Sequence, residues 1–152
     1  KSKGVKVKVL AMRNFRGFIL IEMMIVVLII SVLVAIAYPS YTEHVQRSRI
    51  ADATATLADL RVRMERFYQD NRSFMNGAVC GTPMPAAGSF GYRCDGGVNA
   101  GGQDWFRVTA TGAAGMVGFE FTVNENNLRR TVWFQGVRVD QNCWMTRRGE
   151  RC

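Results

Sequence analysis

The 152-residue sequence has few of the side chains that catalytic and metal sites need. It has one histidine, His44, and its four cysteines form no Cys-x-x-Cys pair. The sequence therefore offers few ligands for a zinc site and only one histidine for a nucleophile–histidine pair. Asp95, Asn99 and Asp104 carry calcium-ligand chemistry, but their spacing matches no calcium loop. We therefore expect no enzyme, no metal site and no cofactor.

Lysine is absent after Lys8, and positive charge is concentrated at the N-terminus. Residues 1–17 carry six basic and no acidic side chains, whereas residues 18–152 carry 14 arginines against 12 acidic residues. The net charge of +8 therefore belongs mainly to the first 17 residues, and a body that is basic over its whole surface is not indicated. Basic residues next to an apolar span stay in the cytoplasm and fix its orientation.

A long apolar run, residues 18–38, follows, and Glu22 is its only charged residue. As a helix it is about 31 Å long at ~1.5 Å per residue, close to a bilayer core of roughly 30 Å. The alternatives are a buried core helix and a cleaved secretory signal, but the run is long for both. A carboxylate in such a helix is costly, which makes Glu22 a candidate functional residue.

The rest of the chain predicts an α+β fold. Residues 40–70 form an amphipathic helix, because one apolar stripe recurs at spacings of three and four: Ile50, Ala53, Leu57, Leu60, Met64 and Phe67. The stripe requires a partner, most simply a sheet. Residues 71–104, rich in glycine and proline, predict a long loop. Residues 105–135 predict an antiparallel sheet with strands at Trp105–Thr111, Val117–Asn124 and Arg130–Gln135. Residues 136–152 form a C-terminal region that ends in a cysteine pair.

All four cysteines, Cys80, Cys94, Cys143 and Cys152, follow the apolar span. An even number in a small extracytoplasmic domain indicates two disulfides, and four cysteines permit three pairings. We favour Cys80 with Cys94 and Cys143 with Cys152, because both bonds are local.

Arg147, Arg148 and Arg151 lie between the last two cysteines. Confined by a disulfide, three guanidinium groups are candidates for contact with DNA phosphates or with an acidic partner surface. The alternative is a solvated loop in which Glu150 is their ion-pair partner.

Residues 16–22, the apolar run and the sequence Ala-Tyr-Pro-Ser-Tyr at residues 37–41 resemble a type IV (class a) prepilin signal. That signal has a basic leader ending in Gly, then Phe-Thr-Leu-Ile-Glu, and a long apolar run before Pro-Ser-Tyr. Most positions of residues 13–41 fit this signal, and Ile19 and Ser31 differ from the usual Thr and Gly. Over residues 42–152 it is limited to general architecture and the C-terminal cysteine pair, which resembles the disulfide-bounded loop of type IVa pilins.

The resemblance implies a processing path. A prepilin peptidase would cut between Gly17 and Phe18 and N-methylate Phe18, and Glu22 would neutralise the Phe18 amine of a neighbouring subunit. Two charges that are each costly in an apolar fibre core become tolerable as a pair. A short leader starting at Met12 would be typical, and a longer leader is the alternative.

The implied protein is a minor type IVa pilin: leader 1–17, membrane and fibre-core helix 18–39, and periplasmic domain 40–152. Its precursor would sit in the inner membrane of a Gram-negative bacterium, and the mature subunit would join a pilus on the cell surface. Other pilin subunits, the peptidase and an inner-membrane assembly platform would be its partners. The resemblance implies that the pilus serves twitching motility, adhesion or DNA uptake. The alternatives are a type II secretion pseudopilin and, in another class, a signal-anchored periplasmic binding domain.

Overall fold

The computed structural model of the protein describes residues 19–152, with Ile19, Pro39 and Ser40 described by their backbone alone. The expected leader and the cleavage site at Gly17 and Phe18 lie outside the described residues. The chain divides into two compact units, and the boundary falls between Thr42 and Glu43.

The described part of the first unit is the N-terminal half of helix α1, which runs from Ile19 to Asn71. Its large apolar side chains are exposed. Among residues 19–152, α1 is the one helix long and apolar enough to cross a membrane. The Ser31 hydroxyl donates to the carbonyl oxygen of Val27 at 2.7 Å, so it leaves no unpaired donor in apolar surroundings.

The second unit is built on the C-terminal half of α1, and the predicted apolar stripe faces its core. Five of the six stripe positions are buried: Ile50, Ala53, Leu57, Leu60 and Met64. Phe67 is partly exposed, and its ring lies so close to Gly81 that a Cβ there would overlap it. Residues off the stripe form ion pairs one helical turn apart: Arg47–Glu43, Arg61–Glu65 and Arg63–Asp59.

Seven strands follow the helix. The first two form a short hairpin, β1 (Met75–Asn76) and β2 (Val79–Cys80). Five longer strands form one antiparallel meander in sequence order: β3 (Phe90–Val98), β4 (Asp104–Gly112), β5 (Glu120–Asn124), β6 (Arg129–Phe134) and β7 (Val137–Gln141). The α+β fold, with a long N-terminal helix packed on a small antiparallel sheet, is therefore confirmed.

Three details of the sequence prediction are wrong. Residues 71–104 are not one long loop, because β3 pairs with β4 along its nine residues. Three glycines in β3 lower its intrinsic strand preference, and the pairing with β4 compensates for them. The C-terminal region contains β7, which follows a turn at Gln135 and Gly136 with positive φ angles of 51° and 77°. The strand predicted from Val117 begins only at Glu120, after a turn.

The core lies between the helical stripe and alternate residues of the central strands. Those residues are Phe106, Val108 and Ala110 of β4 and Phe121 and Val123 of β5. At the C-terminal end of α1, the rings of Tyr68 and Phe74 stack at 4.5 Å, and those of Phe74 and Phe106 lie 4.7 Å apart. This aromatic series fixes the end of the helix against the sheet.

Disulfides join Cys80 to Cys94 and Cys143 to Cys152, the pairing favoured from the sequence. The first bond holds β2 beside β3, which is an edge strand of the sheet. The second closes the C-terminal loop, and its two Cα atoms lie 5.7 Å apart.

Candidate functional site

The sequence-predicted functional residues described by the structure fall in different units. Glu22 lies in the first turn of α1, in the first unit, and is exposed. Arg147, Arg148 and Arg151 lie in the second unit, in the disulfide-closed segment Cys143–Cys152, which we call the arginine loop.

The arginine loop is fixed at its first residues by the buried side chain of Thr131 in β6. The Thr131 hydroxyl donates to the carbonyl oxygen of Cys143 at 2.6 Å and accepts from the backbone N–H of Met145 at 2.9 Å. Met145 itself is part of the hydrophobic core. The loop therefore leaves the sheet from a fixed position.

Trp144 adds a second attachment and brings another cation to the loop. Its indole N–H donates to the carbonyl oxygen of Thr122 at 3.0 Å. The guanidinium of Arg129 lies 4.9 Å from the centre of the Trp144 ring, within range of a cation–π interaction. Sequence reasoning missed Arg129, because 15 positions separate it from Trp144 and only the fold brings them together.

Glu150 caps the backbone of the arginine loop. One oxygen of its carboxylate accepts from the backbone N–H of Thr146 at 2.7 Å, from the Thr146 hydroxyl at 3.2 Å and from the backbone N–H of Arg147 at 3.1 Å. The Thr146 and Arg147 N–H groups hold the pKa of this carboxyl below its usual range. Among residues 19–152, Glu150 forms no ion pair with a loop arginine, and the positive charge of Arg147 is a smaller cause of the lowered pKa than the backbone N–H groups.

The loop arginines are consequently exposed and unpaired. Within residues 19–152, Arg147, Arg148 and Arg151 take part in no ion pair, whereas several other arginines of the second unit do. Arg147 and Arg148 also line a small cleft with residues of α1, among them Glu43 and Arg47, which pair with each other. Arg130 differs, because Asp140 lies 3.6 Å from its guanidinium. Three guanidinium groups without an ion-pair partner are thus concentrated on one constrained loop, which also carries the Glu150 carboxylate.

The residues considered for calcium do not form a metal site, although Asn99 and Asp104 line the same cleft. Asp95 pairs with Arg93 at 3.4 Å, and the side-chain oxygen of Asn99 accepts from two backbone N–H groups of its own loop. Among residues 19–152, no three acidic, histidine or cysteine side chains are grouped to hold a metal ion. His44 is exposed on α1.

Two family profiles match the chain. The profile described as "Type IV minor pilin ComP, DNA uptake sequence receptor" matches residues 39–120, and the prokaryotic N-terminal methylation motif matches residues 12–38. The first match covers more than half of the sequence.

Individual relatives are pilus proteins. A fimbrial protein of Moraxella nonliquefaciens is 43% identical over 63 residues, 41% of this chain and 40% of the relative. The type IV major fimbrial protein FimA of Dichelobacter nodosus strain VCS1703A is 34% identical over 76 residues, 50% of this chain and 43% of the relative. The chain thus spans less than half the length of each of these relatives.

Proposed function

The chain belongs to the family of the type IV minor pilin ComP, and we propose that it is a minor subunit of a type IV pilus that binds DNA through its arginine loop. The observation that carries the DNA part is the set of three exposed guanidinium groups without ion-pair partners on a loop fixed at both ends. The ComP description supports DNA binding as the role of the subunit over twitching motility or adhesion. It also supports a type IV pilus over a type II secretion fibre. The same match argues against a signal-anchored binding domain.

Processing and assembly complete the proposal. The peptidase cuts between Gly17 and Phe18 on the cytoplasmic side, and the same enzyme methylates Phe18. The precursor lies in the inner membrane with residues 40–152 in the periplasm, and the assembly platform transfers it to the fibre. In the fibre, Glu22 pairs with the terminal amine of a neighbouring subunit. The methylation motif over residues 12–38 and the exposed apolar half of α1 support this path.

The electrostatics of the loop suit a phosphate backbone. Each phosphate that a basic side chain neutralises releases counterions, so affinity falls as salt rises. The Glu150 carboxylate accepts hydrogen bonds mainly from loop backbone N–H groups and forms no ion pair with the three guanidinium groups, which leaves them available to phosphates. Arg129 beside Trp144 adds a fourth positive charge at the base of the loop.

The test compares DNA affinity at several salt concentrations for the unchanged chain and for Arg147→Gln with Arg148→Gln. We expect weaker binding and a slope of log K against log salt reduced by about 1–2, because one or two phosphate contacts are lost. Arg66→Gln with Arg72→Gln is the matched control, since both of these exposed arginines lie elsewhere in the second unit.

DNA uptake and the number of pili are measured in bacteria that carry the unchanged chain, the loop variant or the control variant. The proposal requires that the loop variant lowers uptake while fibres remain at normal abundance. Equal loss of uptake and of fibres would assign the loop to folding or assembly instead. Equal salt slopes for loop and control variants would place the DNA contact elsewhere.

A further inference from the structure

We propose that a second site, a cleft beside the last turns of α1, binds a neutral saccharide. The cleft has a volume of about 530 Å³, in the range of small-molecule sites. It lies among α1, the β3–β4 loop, the start of β4 and the β5–β6 turn, and it is lined by Tyr68, Asn99, Gly102, Gln103, Asp104, Trp105, Glu125 and Asn126.

The polar wall is held in place before any ligand arrives. The side-chain oxygen of Asn99 accepts from the backbone N–H groups of Gly101 at 2.9 Å and Gln103 at 3.0 Å. The Glu125 carboxylate accepts from the Asn126 amide at 2.8 Å and from the backbone N–H of Phe106 at 3.3 Å. A wall fixed in this way loses little conformational freedom when a ligand binds.

Other polar groups of the wall remain available. Within residues 19–152, the half-buried Asp104 carboxylate has no hydrogen-bond or ion-pair partner, and the Gln103 amide nitrogen and the Trp105 indole N–H donate no hydrogen bond. The cleft therefore offers acceptors on a carboxylate next to donors on an amide and an indole. A hydroxyl group both donates and accepts, so a polyhydroxylated ligand satisfies both kinds of group.

Tyr68 and Trp105, the two aromatic residues of the lining, are the candidates for the apolar contact that a sugar ring needs. One face of a pyranose carries mainly C–H groups, which pack on the faces of tyrosine and tryptophan rings. Tyr68 is supported by Phe74, whose ring lies 4.5 Å away, so this part of the wall is backed by the core. Trp105 is partly exposed at the start of β4.

Charge separates this cleft from the arginine loop. Its described lining contains two carboxylates, of Asp104 and Glu125, and no basic side chain. Phosphate and carboxylate ligands are repelled, which leaves neutral saccharides and cations. The available amide nitrogen of Gln103 and indole N–H of Trp105 favour the saccharide, because a cation offers no acceptor for either donor, whereas a hydroxyl group does. The cleft shares no residue with the arginine loop, so this proposal stands or fails independently of DNA binding.

The experiment uses the full chain, labelled with ¹⁵N, in a polyoxyethylene detergent, which has no sugar headgroup. The indole N–H resonance of Trp105, assigned from its loss in Trp105→Phe, is followed during titration with lactose, maltose and N-acetylglucosamine. Argininamide, calcium chloride and a DNA duplex are titrated separately. Asp104→Asn is compared with Asp70→Asn, an exposed carboxylate on α1 that is not among the lining residues.

We expect at least one neutral saccharide to shift the Trp105 resonance saturably. Asp104→Asn should weaken that binding about tenfold, the effect of losing a charge-assisted hydrogen bond, while Asp70→Asn leaves it unchanged. The backbone spectrum of each variant reports whether it is folded. Saturation by argininamide or calcium alone would overturn the proposal in favour of a cation site. No saturable shift with any of the three sugars, or equal affinity in both variants, would also overturn it.

Discussion

The buried hydroxyl of Thr131 accepts a hydrogen bond from the backbone N–H of Met145 at 2.9 Å and at the same time donates to the carbonyl oxygen of Cys143 at 2.6 Å. The Thr131 side chain of β6 thereby forms hydrogen bonds with two backbone groups at the start of the arginine loop, the Cys143 carbonyl and the Met145 N–H. Because buried polar groups are costly when unpaired, the position of the loop is linked to the stability of the sheet.

Thr131→Val should therefore destabilise the protein. The variant keeps the shape of the side chain but leaves the Cys143 carbonyl and the Met145 N–H unpaired, so we expect the free energy of unfolding to fall by about 1–3 kcal/mol. Urea unfolding measures this change. Thr111→Val, at an exposed position of β4, is the matched control and should change little. Equal effects at both positions would contradict the anchoring role of Thr131.

The Glu150 cap should make the order of the arginine loop depend on pH. Hydrogen bonds from the N–H groups of Thr146 and Arg147 lower the pKa of the Glu150 carboxyl in the folded protein. A lowered pKa means that the cap stabilises the loop above the ordinary glutamate value of about 4.3 and is lost as the pH falls through the lower folded value. The amide resonance of Thr146 should report a midpoint below about 4.3.

Glu150→Gln supplies the control for that titration. The glutamine side chain does not ionise, so the transition at the Thr146 amide should disappear. A transition that persists in this variant would mean that another group is responsible. A midpoint at or above the ordinary glutamate value would contradict the charge-assisted cap.

Gly112, at the end of β4, should tolerate no side chain. A Cβ at this position would overlap the backbone carbonyl oxygen of Met116 in the following turn. Gly112→Ala is therefore expected to lower the free energy of unfolding by about 1–3 kcal/mol. Gly91→Ala in β3 is the matched control, because a Cβ there meets nothing within 4 Å. Thermal unfolding measures the melting temperature of both variants. Equal melting temperatures for Gly112→Ala and Gly91→Ala would contradict the overlap at Gly112.

Glu22→Ala tests the assembly role of the carboxylate. Residues 16–18 are unchanged, so we expect normal cleavage and a mature chain that begins at Phe18, measured by mass spectrometry. Incorporation into sheared fibres should fall about tenfold or more, because the amine of a neighbouring subunit would remain unpaired in an apolar core. Ser31→Ala, which removes a hydroxyl already paired within α1, is the control.

Two results would contradict this account of the N-terminus. Normal incorporation of Glu22→Ala into fibres would exclude the charge-pairing role. A mature N-terminus at Tyr38 or Ser40 would indicate a cleaved secretory signal instead of a prepilin leader.

Much of the fold could be predicted because its signals are local. The spacing from Ile50 to Met64 repeats every three or four residues, which only a helix places on one face. The alternation around Phe121 and the short separations within each cysteine pair are equally local. β3 escaped prediction because its glycines carry no pattern, and its structure depends on a partner strand that follows it in the sequence.

The candidate site could be predicted only in part, for the same physical reason. The sequence places Arg147 and Arg148 between two cysteines, but the role of Glu150 depends on how the loop backbone turns. The contact of Arg129 with Trp144 and the cleft between Tyr68 and Trp105 join segments far apart in the chain. Such contacts have no signature within a short window of sequence.

The disulfide between Cys80 and Cys94 has a consequence for many copies of the protein held side by side at a membrane. β3 is an edge strand nine residues long, and an open edge of that length can pair with the edge of another molecule. By holding β2 against this edge, the bond leaves less room for an incoming strand. Formation of this disulfide is therefore expected to reduce edge-to-edge aggregation of neighbouring subunits.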